Sequence, residues 1–145
     1  MSNYLANETL IIARLTTQMP ELLHVSGWTD YSKIEEAKLR TPSAYVIYDG
    51  DVIGGDAGGG SAQRIEQQWG VIIVVRNVAT RSGAEIREQA GPLMARVLEL
   101  LMGWQPTTAA RPLRRLPAPA PEYSQYVGYF PLLFAAPMIN VGVNP

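Results

Sequence analysis

The sequence predicts an α+β protein: two main helices packed on one face of a mostly antiparallel sheet, with a long protruding β-hairpin. Three observations carry this. Residues 43–77 read as strand, glycine loop, strand. The run Val71-Ile72-Ile73-Val74-Val75 is apolar on both faces, so both faces must be covered. Residues 82–104 carry an amphipathic helical stripe behind a capping signal. The order helix, strand, strand, helix, strand, strand then places the helices together on one side of the sheet. No internal repeat or composition break divides the chain, so residues 1–145 are expected to form a single domain.

Asn7 is placed to cap a first helix over Glu8–Met19, with Leu10, Ile11, Leu15, Met19 and Leu22 near helical spacing. Glu8 falls in the first turn, where the helix dipole favours a carboxylate. Pro20 ends or bends this helix. Leu22–Val25 suits a short extended piece, and Asp30 can cap a turn or two through Ile34–Ala37. Ser43–Tyr48 reads as a strand, because Tyr, Val and Ile suit a pleated surface. Residues 49–62 read as a flexible glycine loop, and Gln63–Asn77 as a long strand whose polar first half needs no cover.

Ser82 with Glu85 forms a capping box. Ile86, Ala90, Leu93, Val97, Leu100 or Leu101, and Trp104 then follow at intervals of three and four. Pro92 is expected to kink or restart this helix, and Gly103 to stop it. A proline-rich stretch over residues 105–122 holds a short edge strand, Pro112–Leu116, and an extended polyproline piece, Pro117–Pro121. Tyr123–Asn140 reads as a last long strand or strand pair, broken near Gly128 or Pro131.

With 12 basic and 13 acidic residues the net charge is −1, so no global basic field holds DNA or an anionic membrane. Cysteine is absent, which excludes disulfides and thiolate metal sites. The opening residues have no basic lead, and Phe130–Ile139 is far too short to span a membrane. The chain is expected to be soluble and intracellular when synthesised.

The motifs of enzyme chemistry fail on detail. The glycine loop at 54–60 has neither G-x-G-x-x-G nor G-x-x-x-x-G-K-[ST] spacing, and it opens into a strand rather than a phosphate-binding helix. Asp49, Asp51 and Asp56 miss the EF-hand spacing, since Ile53 stands where a third oxygen ligand is needed. His24, the sole histidine, has no nucleophile motif beside it. No catalytic residue, metal or cofactor is therefore assigned. Trp69 is expected at the rim of the core, and Trp104 within it.

The remaining functional candidates are surfaces. The hairpin offers Asp51, Asp56, Gln63, Arg64, Glu66 and Gln68; the proline-rich segment offers Arg111, Arg114 and Arg115. Arg111, Arg114 and Arg115 are read equally well as charges protecting an edge strand or as a patch facing acidic groups on a partner. Two patches on different sides of one protein are what a ring contact between copies requires.

Several stretches also carry a family resemblance. They are the opening Glu8–Leu15 helix, Thr41-Pro42-Ser43-Ala44-Tyr45-Val46, Gln68-Trp69-Gly70 with the run to Val75, and Ala90-Gly91-Pro92-Leu93 through Gly103-Trp104-Gln105-Pro106. The ending Pro119–Tyr123, Gly128-Tyr129 and Pro131–Phe134 completes them. Over nearly its whole length the chain resembles tail terminator, or tail completion, proteins of long-tailed bacteriophages, especially the Mu-like contractile type. The resemblance implies a structural virion protein with no enzymatic step and no cofactor. It implies a ring, usually hexameric, on the head-proximal end of the tail tube, which stops tube polymerisation and offers a surface for head–tail joining. Partners would be further copies of the chain, the tail tube and possibly the sheath, and neck proteins. Assembly would take place in the host cytoplasm, without sequence-specific nucleic acid contact or membrane. Two alternatives stay open: another neck or connector component, and a small enzyme built on His24, Glu66 or Asp49.

Overall fold

A computed structural model describes residues 3–28, 35–77 and 82–143. Helix α1 spans Ala6–Gln18 and helix α2 spans Gly83–Leu101. The strands are β1 His24–Gly27, β2 Ser43–Ala57, β3 Ala62–Arg76, β4 Arg114–Leu116, β5 Glu122–Tyr123 and β6 Val127–Val141. They form one six-stranded sheet in the order β1-β2-β3-β6-β4, with β5 also on β6. Only the β1–β2 pair is parallel. The expected α+β class with a mostly antiparallel sheet is what the chain adopts.

The apolar run takes the central position predicted for it. Val71, Ile73, Val74 and Val75 are fully buried on β3, between β2 and β6. Ile11, Leu15 and Met19 of α1 and Ile86, Ala90, Val97 and Leu101 of α2 pack with Trp69, Val71, Ile73 and Val75. Both helices thus cover the odd-numbered face of β3. On the other face a smaller cluster of Tyr45, Val74 and Val127 is covered by Leu39.

The capping box forms as read. Ser82 Oγ accepts from the Glu85 N–H at 3.2 Å, and the Glu85 carboxylate accepts from the Ser82 N–H at 3.3 Å. Helix α2 continues through Pro92 as one element and ends before Gly103, whose φ of 75° suits a residue without Cβ. Arg14 of α1 donates to the Leu100 carbonyl at 2.7 Å and lies 4.7 Å over the half-buried Trp104 ring. A cation thereby meets the negative end of the α2 dipole and ties the helices together. Ser82→Ala is expected to cost about 1 kcal/mol, the usual worth of such a cap, and urea denaturation would measure it.

Four expectations are corrected. Asn7 does not cap α1: it lies inside the helix, buried, while Leu5 holds the cap position without a side-chain bond. Residues 49–57 are not a flexible loop but the continuation of β2, paired with β3 as far as Ala57↔Ala62. Gly50, Gly54 and Gly55 fall instead at register shifts, between Tyr48 and Asp51 and between Ile53 and Asp56. Gly50, at φ 89°, lies in the first shift, where a strand absorbs an extra residue most easily without a side chain. The turn proper is Gly58–Gly60.

Third, β6 is not broken at Gly128 or Pro131 but runs continuously through Pro131 and Pro137. The Pro137 carbonyl accepts from Arg111 N–H on the side away from β3, so the missing proline N–H removes no bond from the central ladder. Pro131 lies an even number of residues away and faces the same side. The break comes earlier, at residues 124–126. Fourth, β3 is not the free arm of a hairpin: β6 flanks it from Arg76↔Val127 to Ala62↔Val141, so the end of the sheet near the Gly58–Gly60 turn is three strands wide. The expected turns capped at Asp30 fall mainly outside the described residues; a 3-10 turn follows at Glu36–Lys38.

Candidate functional site

The residues singled out as a contact surface sit toward the Gly58–Gly60 end of the sheet. Arg64, Glu66 and Gln68 alternate along β3 on the face opposite the helices, while Ile65, Gln67 and Trp69 point to the helix side and are buried. Gln63 donates to the Gly54 carbonyl at 2.6 Å across the β2–β3 pair. Asp56 is exposed beside it in the register. Arg111 is exposed next to β6, and Arg114 and Arg115 are exposed on β4.

The structure brings two of these residues together. Arg114 donates to both Glu66 carboxylate oxygens at 2.7 Å, reaching across β6. The Arg114 side chain is 54% exposed and that of Glu66 34%, so the pair is screened by solvent and contributes less than about 1 kcal/mol. Its significance is geometric. On this face Arg64, Glu66 and Gln68 of the hairpin form one continuous surface with Arg114. A groove of about 660 Å³ runs through it, lined by Val52, Arg64, Glu66, Arg111, Pro137 and Ile139 among others. Apolar side chains are exposed around it, with Val52 at 50%, Ile139 at 51% and Val141 at 72%.

Sequence reasoning missed the polar cluster under the opposite face. Gln67 is fully buried and Asn7 nearly so. Gln67 Oε1 accepts from Asn7 Nδ2 at 3.0 Å and from Trp69 Nε1 at 3.0 Å, and its amide donates to the Tyr4 carbonyl at 2.6 Å. Tyr4 in turn donates its hydroxyl to Asp51 at 2.7 Å, and Tyr48 donates to the same carboxylate at 3.4 Å. Burial, then the neighbouring Tyr4 and Asp51, push the Tyr48 phenol up to about 12; burial and the Asp51 hydrogen bond raise Tyr4 as well. Both phenols therefore stay protonated and keep donating at any ordinary pH. Asp51 belongs to this clasp, which holds the N-terminal segment on the sheet. The one available signal was polar residues at Asn7 and Gln67, positions where the helical and strand patterns point inward.

A second clasp closes the face away from the helices. Glu36 accepts from Ser124 Oγ at 2.6 Å and from the Tyr129 hydroxyl at 2.7 Å, while Arg76 donates to the Leu39 carbonyl. The Ser124 bond first, then the Tyr129 bond, hold the Glu36 carboxyl below its ordinary range. A carboxyl depressed in the folded state stabilises above its unfolded pKa and loses that contribution as pH falls through the folded one. Glu36→Gln is therefore expected to be less stable than the parent at neutral pH, with the gap closing on acidification. Denaturation midpoints of both proteins across the acid range test this.

His24 and Glu66, two of the residues on which an enzyme would be built, are not brought together. His24 lies on β1 with its ring 5.9 Å from that of Tyr45. It stands at the Ser43 rung while Glu66 stands at the Val52 rung, roughly 25 Å along the strands. No three His, Asp or Glu side chains gather as a metal site among the described residues. No helix among them is long and apolar enough to cross a membrane. Compared with known families, the chain matches the model described as phage tail terminator protein over residues 1–141. No curated protein matches it.

Proposed function

Because the chain belongs to the phage tail terminator family, a family of structural virion proteins, we propose that it closes the head-proximal end of the tail tube as a ring. In this role it stops tube polymerisation and presents a surface on which the head connector docks. The family match over residues 1–141 carries the reading. Exposed Val52, Ile53, Ile139 and Val141 support it, because apolar side chains concentrated at one end of a sheet favour burial against neighbours. The ring is a hexamer and the tail is of the Mu-like contractile type, so the sheath is a further neighbour beside the tube. Assembly takes place in the host cytoplasm.

Deleting the gene tests the role directly. Tails of uncontrolled length are expected. Tails of normal length that fail to join heads would instead make the protein a neck component. Labelled protein anywhere but the head-proximal tube end would overturn the placement.

A further inference from the structure

The sheet carries opposite charge on its two long edges. Strand β2 holds Asp49, Asp51 and Asp56 and no Lys or Arg. Residues 105–121, which run along the other side of β6, hold Arg111, Arg114 and Arg115 and no Asp or Glu. Among the described residues both edges are open toward the Gly58–Gly60 end. Strand β1 covers β2 only from Ser43 to Val46. On the far side, β4 covers β6 only at Leu133–Ala135, with a single bridge at Ala110↔Met138. Among the described residues Asp49, Asp56, Arg111 and Arg115 make no ion pair.

The charges also match in height along the strands. Tyr48, Trp69, Phe134 and Arg115 share one row across the sheet, and Asp51, Gln67 and Ala136 another. Arg111 binds Pro137, whose row holds Glu66 and Val52. Asp49, at the register shift after Tyr48, and Asp51 therefore lie at the level spanned by Arg115 and Arg111. Strands β2 and β6 both run antiparallel to β3, so they point the same way. A second copy set beside the first by rotation about an axis along the strands brings the acidic edge of one to the basic edge of the other without a slip.

We propose that the acidic outer edge of β2 in one copy docks on the basic 105–116 edge of the next copy. The proposal rests on the ring reading and names the surfaces that form the ring. Two different patches meet at each contact, the arrangement that closes into a ring. Like-charged edges repel, so the same charges disfavour two-fold dimers made edge to like edge and set the register of the correct contact.

The absence of cysteine makes the test clean. Asp49→Cys and Arg115→Cys are both at exposed positions and can be prepared as separate proteins. With a short bismaleimide, each alone is expected to stay at the monomer mass and an equal mixture to give the doubled mass. One chain carrying both changes should give a ladder of multimers. Efficient cross-linking of either single variant with itself, or none in the mixture, overturns the proposal. As a second arm, Asp49→Arg with Asp56→Arg, and Arg111→Glu with Arg115→Glu, should each lose self-association and regain it when mixed; failure to regain it counts equally against the edges. Microscopy of tails separates the two readings. A ring at the tube end without the cross-link sinks the edge contact alone, and the cross-link without that location sinks the terminator placement alone.

Discussion

Replacing Gln67 by leucine is expected to lower stability by about 3 kcal/mol, although the two side chains are similar in size. The cost is polar. Trp69 Nε1 loses its acceptor, Asn7 Nδ2 keeps only a 4.0 Å contact to the Met138 sulfur, and the Tyr4 carbonyl loses its donor. Each buried group left without a partner costs about 1–3 kcal/mol, and the Tyr4 end is open enough for water to offset part of its share. Urea denaturation of the variant reads the total, and a loss below about 1 kcal/mol would show that the cluster is replaceable. A companion change separates the causes. Asn7→Leu alone strips Gln67 of one donor, yet the double variant removes both partners of that bond. The double loss is therefore expected to fall short of the sum of the two single losses.

This cluster marks the limit of what the residues disclosed. The centre of the sheet was legible because Val71–Val75 can only be buried on both faces. Helix α2 was legible because its cap and stripe agree. Asn7 was read as a helix cap and Gln67 as part of a polar run that needs no cover, and only tertiary contact reveals that the partner of each is another polar residue sixty positions away. The glycines of β2 misled in a similar way. Glycines at the two register shifts of a strand are, in sequence, indistinguishable from those of a loop, and only Gly50 has a φ that favours glycine. Of the surface candidates, the arginines were rightly placed on and beside an edge strand, but nothing local could show that Arg114 reaches across β6 to Glu66.

Trp69→Ala is expected to be the most damaging single change, costing about 3–5 kcal/mol. Trp69 is fully buried, well inside the core rather than at the rim expected of it. Its ring lies 5.0 Å from that of Tyr48, and it stands beside Phe134 in the register. Removing it opens a cavity and also frees the Gln67 oxygen from one of its two donors. Trp69→Phe separates these contributions, since it keeps most of the ring and loses only the N–H; about 1–2 kcal/mol is expected for it. If phenylalanine proved as harmful as alanine, the hydrogen bond rather than the packing would dominate. The position matters beyond its own burial. Past Trp69 toward the Gly58–Gly60 turn, the helix side of the sheet carries Ala136 and the buried Asn7–Gln67 pair, then the small cluster of Ile65, Ala110 and Met138 with Tyr4 against it. Trp69 therefore joins the helix-covered half of the sheet to the half that bears the edge charges. Its truncation is expected to weaken edge-to-edge association as well as the fold, whereas the edge-charge substitutions leave thermal stability nearly unchanged. Melting curves set beside the cross-linking yields would show the two classes apart.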